Sequence, residues 1–169
     1  MKKYLDILNK LMKFTFENII KKVLDHEGGY VNDPKDLGGE TKYGITKRSY
    51  PNIDIKNLRK EEAKEIYRKD YWNKNRIESI PQELWYIFFD MCVNMGRRSA
   101  VKILQRAANS SGHRLEVDGG LGPITIKGLQ NISIDRVRAY RIKHYTDLIN
   151  KKPEQERFWI GWYRRAIKV

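Results

Sequence analysis

Residues 16–46 read FENIIKKVLDHEGGYVNDPKDLGGETKYGIT, and this stretch decides both the fold class and the place to look for a functional site. Its first part has apolar residues at the spacing of an amphipathic helix, namely Phe16, Ile19, Ile20, Val23 and Leu24. Gly28 and Gly29 end this helix. The segment that follows contains further glycines and three acids, so we expect a loop with at most a small β-hairpin near residues 39–46.

The rest of the chain repeats the helical pattern. Asn57 is a suitable cap for a second helix, and Ser79 with Gln82 fits a capping box in front of a third. Ser133 is a suitable cap for a long helix further along the chain. The alternation of apolar and polar residues that is typical of strands is scarce. The sequence therefore predicts a mainly α protein, a helical bundle with little β-structure.

The composition narrows the class of protein. With 169 residues, the chain can bury a core as one domain, or as one domain with a small module. Its net charge of +13 predicts attraction to polyanions such as nucleic acid, anionic membranes or the polymers of bacterial envelopes. The single cysteine, Cys92, excludes an intramolecular disulfide, and the three histidines lack metal-ligand spacing. We expect no metal, no other cofactor and no transmembrane segment.

Glu27 is the first candidate for catalysis. It lies three residues after Leu24 and continues the apolar stripe of the first helix, close to the negative end of the helix dipole. Apolar surroundings and a nearby negative charge both raise the pKa of a carboxyl group, as a general acid near neutral pH requires. The alternative is a glutamate at a helix end that reaches solvent or pairs with a lysine.

Asp33 and Asp36 supply the second carboxylate that glycoside hydrolysis would need. They follow Glu27 by six and nine residues, on a loop that can fold back. In this chemistry one carboxyl group protonates the leaving oxygen, and the other directs a water molecule or stabilises the cationic transition state. The aspartate that is not used in this way is a turn residue that bonds to its own backbone.

Two motifs carry a resemblance to a known family: HEGGYVNDP at residues 26–34 and DLGGETKYGIT at residues 36–46. They resemble the glycoside hydrolase 108 family of N-acetylmuramidases, whose members include phage endolysins and bacterial proteins. Further along, VDGGLGPIT at residues 117–125 and FWIGWYRR at residues 158–165 look like the C-terminal peptidoglycan-binding region of that family. The resemblance covers about residues 13–166.

The resemblance implies a lysozyme-like fold and bacteriolytic hydrolysis of the β-1,4 bond between N-acetylmuramic acid and N-acetylglucosamine in peptidoglycan. It implies that Glu27, in the motif EGGY, is the catalytic acid. Glu27, Asp36 and Thr41 are also similar in order to the Glu–Asp–Thr triad of phage lysozymes, although Thr41 follows one residue too early. We therefore assign Asp36 as the second carboxylate, with Asp33 as its rival. Thr41 either positions water or holds the loop.

Further side chains are candidate substrate contacts. Aromatic faces suit the C–H surfaces of sugars, and tyrosine hydroxyls add hydrogen bonds. The aromatic candidates are Tyr30, Tyr43, Tyr71 and Trp72. Packing in the core is the alternative for each of them. Asn94, just before Met95 on the mid-chain helix, is the polar candidate, together with Asp33 if that residue is not catalytic.

We predict three regions: an N-terminal extension at residues 1–12, a lysozyme-like catalytic region at 13–95, and a helical peptidoglycan-binding region at 96–169. Residues 1–12 lack the apolar centre of a secretion signal, so we expect an endolysin that stays in the host cytoplasm until its release to the wall. Its expected partners are peptidoglycan and, through the basic surface, anionic envelope polymers. We expect a monomer without a specific nucleic-acid target.

Two other functions stay open at this stage. The chain could be a wall-binding module without activity, although Glu27 is intact. It could also be a nucleic-acid-binding protein because of its charge, although it has no motif typical of that class.

Overall fold

The computed structural model describes residues 14–26, 29–32 and 39–169. These residues form seven α-helices and one antiparallel hairpin, which confirms the predicted mainly α fold with a hairpin near residues 39–46. The helices are α1 (Phe16–His26), α2 (Lys60–Ile66), α3 (Trp85–Met95), α4 (Arg97–Asn109), α5 (Pro123–Gly128), α6 (Ile134–Lys151) and α7 (Trp159–Lys168), and the strands are β1 (Thr41–Lys42) and β2 (Ile45–Thr46). The chain divides into two compact units, of which the first ends at Lys74 and the second begins at Asn75.

Helix α1 contributes the predicted apolar stripe to the core of the first unit, with Phe16, Ile19, Ile20, Val23 and Leu24 all buried. The ring of Phe16 packs edge-to-face on Trp72, with 5.2 Å between the ring centroids. Trp72 belongs to a π-helical segment, Tyr67–Asn73, that continues α2. At the start of α1, Glu17 forms ion pairs with Lys64 of α2 and with Arg68 of the π-helical segment, and so connects α1 to both.

The hairpin is closed by a two-residue turn. Tyr43 and Gly44 both have positive φ, 52° and 74°, which is the combination that a type I′ turn requires. This turn matches the twist of the two strands, in which Thr41 pairs with Thr46. The hydroxyl of Tyr67 donates to the carbonyl of Tyr43 at 3.1 Å, so the π-helical segment holds the turn in place.

Helix α2 begins later than the sequence predicted. Asn57 does not cap it, because its backbone N–H and its side-chain amide both donate to the carboxylate of Asp54, at 3.2 and 2.8 Å. The helix starts after Arg59 instead. The backbone N–H and the guanidinium of Arg59 both donate to Glu62, at 2.8 and 2.9 Å. The capping prediction at Asn57 was therefore wrong.

The second unit opens with two 3-10 turns, Ile77–Ser79 and Gln82–Leu84. Ser79 does not cap α3 as predicted, since its hydroxyl donates to the carbonyl of Arg76 at 2.7 Å. Helices α3 and α4 supply much of the core of this unit. They are separated by Gly96, whose φ of 79° ends α3. Cys92 is buried on α3, and burial raises the pKa of its thiol to about 12.

An ionic cluster lies inside the second unit. Asp90 on α3 is only 3% exposed and accepts hydrogen bonds from Arg141 on α6 at 2.6 Å and from Arg165 on α7 at 3.0 Å. Arg141 is fully buried and also donates to the hydroxyl of Tyr145 at 3.2 Å. The cluster therefore joins three helices through one carboxylate.

Gln105 organises the loop that precedes α5. This buried side chain donates to the carboxylate of Asp118 at 2.7 Å and accepts the backbone N–H of Gly119 at 2.9 Å. Gly119 has φ of 82°, and a Cβ at this position would lie 2.9 Å from the carbonyl oxygen of Arg98. The loop therefore requires both the glycine and the glutamine.

The C-terminal helices pack through aromatic rings. Ser133 caps α6 as predicted, with its hydroxyl oxygen accepting the N–H of Asp135 at 3.2 Å. A 3-10 stretch, Pro153–Phe158, leads into α7. Tyr145 on α6 stacks on Trp162 of α7, with 4.9 Å between the centroids. Among the residues described, no helix has the length and apolar character needed to cross a membrane.

Candidate active site

A pair of backbone hydrogen bonds joins the residues on either side of the segment that carries the two candidate aspartates. Val31 and Thr41 form an antiparallel bridge, in which each backbone N–H donates to the carbonyl of the other at 2.8 Å. Beside it, the hydroxyl of Tyr30 donates to the carboxylate of Glu40 at 2.8 Å, and this bond raises the pKa of the phenol. The residues that flank this segment, Val31 and Thr41, are therefore held next to each other.

Thr41 and Tyr43 lie on the hairpin that extends from this bridge. The half-buried hydroxyl of Thr41 donates to the carbonyl of Gly39 at 3.3 Å, which favours the loop-holding role over the positioning of water. The ring of Tyr43 is half-buried, with the ammonium group of Lys42 5.6 Å from its centroid. Tyr43 thus presents part of its ring to solvent beside a positive charge.

Tyr71 and Trp72 are adjacent in the chain but have different surroundings. Tyr71 is half-buried, and its ring lies 5.4 Å from that of Tyr67. Trp72 is 1% exposed and packs on Phe16 of α1. The burial of Trp72 corrects its assignment as a sugar contact, because a ring enclosed in the core has no face left for a ligand.

Asn94 lies in the second unit, near the end of α3. Its side chain is exposed, and its amide donates to the backbone carbonyl of Asp90 at 2.6 Å and to the carboxylate at 3.2 Å. Asn94 is therefore oriented by the buried ionic cluster. Its role as a substrate contact stays a prediction.

The three candidate acids lie outside the described residues. Glu27 follows directly on His26, where α1 ends, and Asp33 and Asp36 belong to the segment between Asn32 and Gly39. Their catalytic assignment is therefore a prediction from the sequence. What the structure describes is the framework on either side of them: the buried stripe of α1 and the bridge between Val31 and Thr41.

Sequence reasoning missed two buried polar residues, Asp90 and Gln105. Each interrupts an apolar run: Asp90 lies within WYIFFDMCV at residues 85–93, and Gln105 lies between Leu104 and Ala107. A charged or amide side chain inside such a run indicates a buried partner, because an unpaired polar group in a core is costly. That signal was available from the sequence.

No metal site is found in the part of the chain that the structure describes, where no three His, Cys, Asp or Glu side chains come together.

Comparison with known families assigns the chain. Residues 20–96 match the family model of glycosyl hydrolase 108. These residues therefore form a glycosyl hydrolase 108 domain. Residues 99–167 match the model of a predicted peptidoglycan domain. This glycosyl hydrolase is therefore a peptidoglycan hydrolase, and the reading as an enzyme is confirmed over that of a module without activity.

The glycosyl hydrolase also resembles solved structures. One of them, the structure of Brucella abortus SagA, is 29% identical in sequence, with a TM-score of 0.74. The match covers 92% of this chain and 91% of that one. Comparison with curated proteins finds no match.

The division of this glycosyl hydrolase into regions rests on two observations that differ. The family models meet between residues 96 and 99, whereas the compact units meet between Lys74 and Asn75. The difference concerns α3, which the family model groups with the hydrolase and which packs in the second unit through Asp90. The predicted boundary between residues 95 and 96, and the extension at residues 1–12, stay predictions.

Proposed function

We propose that this glycosyl hydrolase is an N-acetylmuramidase in which Glu27 is the general acid. The observation that carries the proposal is the buried stripe of α1, which runs through Val23 and Leu24 and ends three residues before Glu27. A carboxyl group beside such a stripe, at the negative end of a helix, is favoured in its protonated form. Glu27 would donate this proton to the oxygen of the glycosidic bond.

Asp36 is proposed as the second carboxylate, with Asp33 as its rival. The bridge between Val31 and Thr41 supports this role, because it returns the loop with both acids to the hairpin. The second carboxylate stabilises the positive charge that develops on the sugar ring, or directs the attacking water. Thr41 supports the loop through its bond to Gly39.

In the first unit, the substrate is proposed to contact the exposed parts of Tyr30, Tyr43 and Tyr71. Asn94, in the second unit, stays a predicted substrate contact. Tyr30 is 36% exposed and is held by Glu40, so its ring is presented in a fixed orientation. A fixed aromatic face loses little conformational freedom when a sugar stacks on it. Trp72 contributes to the site only by packing under α1.

The test of the acid is the release of reducing ends from purified peptidoglycan, with products identified by mass spectrometry. Glu27→Gln keeps the shape of the side chain and removes the transferable proton, so we expect a loss of about a hundredfold or more in rate. Glu116→Gln, at an exposed glutamate of the second unit, is the matched control and should keep full activity. Equal activity of Glu27→Gln and wild type would reject Glu27, and Asp36→Asn and Asp33→Asn would then be compared.

The biological role is proposed to be host lysis as a phage endolysin that is held in the host cytoplasm until the membrane opens. The resemblance to a family with phage members supports this role. The charge of +13 supports binding to anionic envelope polymers, and we propose that the protein acts as a monomer. Cells that express the protein in the cytoplasm should lyse when a membrane-permeabilising agent is added, and not before. Lysis without that agent would contradict the role.

A further inference from the structure

A small cavity in the second unit lies between α4 and α6. Its volume is about 180 Å³. Ser99, Lys102 and Arg106 of α4 line it from one side, and His144, Asp147 and Lys151 of α6 from the other. It is too small for a disaccharide, since sites for ligands of that size are larger than about 300 Å³. A single carboxylate or phosphate group fits it.

The cavity has an excess of positive charge. Lys102, Arg106 and Lys151 form no ion pair with any other residue that the structure describes. The one acid of the lining, Asp147, pairs with Lys143 at 3.5 Å. Three cations that face one space repel each other, and a bound anion would remove that repulsion.

The pKa of His144 is affected by this positive charge. Its imidazole is half-buried, and burial together with the positive charges of Arg106 and Lys151 lowers its pKa, while Asp147 acts in the opposite direction. The positive charges of Arg106 and Lys151 therefore reach the imidazole of His144 on the same cavity. With the imidazole ring and the hydroxyl of Ser99, the cavity also has neutral groups that can donate hydrogen bonds.

We infer that the cavity lined by Lys102, Arg106 and Lys151 binds an oxyanion of the bacterial wall. The inference rests on the proposed function, because it looks for the ligand in the substrate of the enzyme. Two wall components offer this chemistry: the carboxylates of the peptide stems and the phosphodiesters of teichoic acids. Binding there would fix the second unit to the polymer that the first unit cleaves.

Binding to insoluble walls tests the inference. The full chain with Lys102→Ala and Lys151→Ala is compared with a control that has Arg114→Ala and Lys127→Ala, two exposed cations of the same unit outside the cavity. Alanine is favourable in helices, where Lys102, Lys127 and Lys151 lie, and Arg114 is exposed outside the helices, so both proteins should fold. We expect the cavity variant to lose about tenfold in affinity and the control less than about threefold, since only the cavity groups bond directly to the anion. Equal losses would overturn the inference.

The source of the oxyanion is read from two wall preparations, one intact and one stripped of teichoic acid. A loss confined to intact walls assigns the phosphodiester, and a loss on both assigns the stem carboxylate.

A second measurement does not depend on hydrolysis. Inorganic phosphate is titrated into the wild-type protein, and the His144 imidazole is followed by NMR, with His144→Gln to assign its signal. A bound anion favours the charged imidazole, so the pKa of His144 should rise in wild type and not in the cavity variant. An unchanged pKa in wild type would overturn the inference. If the enzyme fails to cleave walls, this titration still shows whether the cavity binds an anion. Failure of the proposed function and failure of the anion site are therefore distinguishable.

Discussion

Two arginines from other helices bond to the carboxylate of Asp90 in the core of the second unit. This carboxylate lies 2.6 Å from a nitrogen of Arg141 and 3.0 Å from one of Arg165. The pair with Arg141 is almost completely enclosed, so each charge depends on the other for the solvation that water would have supplied. Removal of one partner therefore costs far more than the pair itself contributes.

We expect Asp90→Asn to destabilise the second unit by about 3–5 kcal/mol, because the charge of Arg141 would be left in the core without compensation. Asp135→Asn makes the same chemical change in an exposed pair with Arg138 and should cost less than about 1 kcal/mol. Urea unfolding of the full chain measures both. Similar costs for the two variants would show that Asp90 is solvated in solution.

The partners of buried polar residues could not be predicted from the sequence. Arg141 and Arg165 lie 51 and 75 residues after Asp90 in the chain. Gln105 bonds to a loop that begins 13 residues later. Periodicity places such residues on an apolar face, but only the packing of helices decides which distant group meets them.

The turn of the hairpin holds two consecutive residues in the left-handed region of φ. Gly44 and Tyr43 both lie at positive φ, a region that side chains with a Cβ avoid. Tyrosine is an unusual choice for this position, where asparagine is preferred in type I′ turns. The turn therefore keeps a ring at some conformational cost, which is consistent with a ring that has a use beyond the turn.

Substitutions in the turn separate the backbone from the ring. Gly44→Ala should lose about 1 kcal/mol or more of stability, because alanine is strained at positive φ. Tyr43→Asn gives the preferred Asn–Gly pair and should not reduce stability, but it should raise the KM for peptidoglycan if the ring binds sugar. Thermal unfolding and reducing-end release measure the two effects. A stable Tyr43→Asn protein with an unchanged KM would limit the ring to a structural role.

Sequence signals for helices were interpreted correctly where they depend on local spacing or on a single residue. The stripe of α1 and the cap at Ser133 follow from helical spacing and from a single hydroxyl. The cap at Asn57 was predicted wrongly because Asp54, three residues earlier, uses the donors of Asn57 in a turn of its own. Asp54 and Asn57 are both residue types that favour turns and helix starts, and their propensities do not decide which of the two is used.

The whole chain carries 34 lysines and arginines against 21 aspartates and glutamates. An excess of this size gives long-range attraction to an anionic wall, in addition to any specific contact. Added salt screens this attraction beyond about 10 Å at 0.1 M, but it has little effect on groups in contact.

We therefore expect added salt to weaken the association of the enzyme with the wall and to leave the rate of bond cleavage almost unchanged. Between 50 and 500 mM NaCl, the KM for wall suspensions should rise by about tenfold, while kcat should stay within about twofold. The clearing of peptidoglycan suspensions at constant pH measures both constants. A fall in kcat with an unchanged KM would contradict the expected steering by charge and point to an effect on the site itself.

The burial of Cys92 has a consequence for the chemical environment in which the enzyme can work. A thiol whose pKa is about 12 is almost entirely protonated at neutral pH, and the thiolate is the form that attacks disulfides and reacts with peroxides. The sequence has one cysteine, so covalent cross-linking of two copies first requires unfolding around α3. We therefore expect the folded protein to form no disulfide-linked dimer through Cys92 under oxidising conditions.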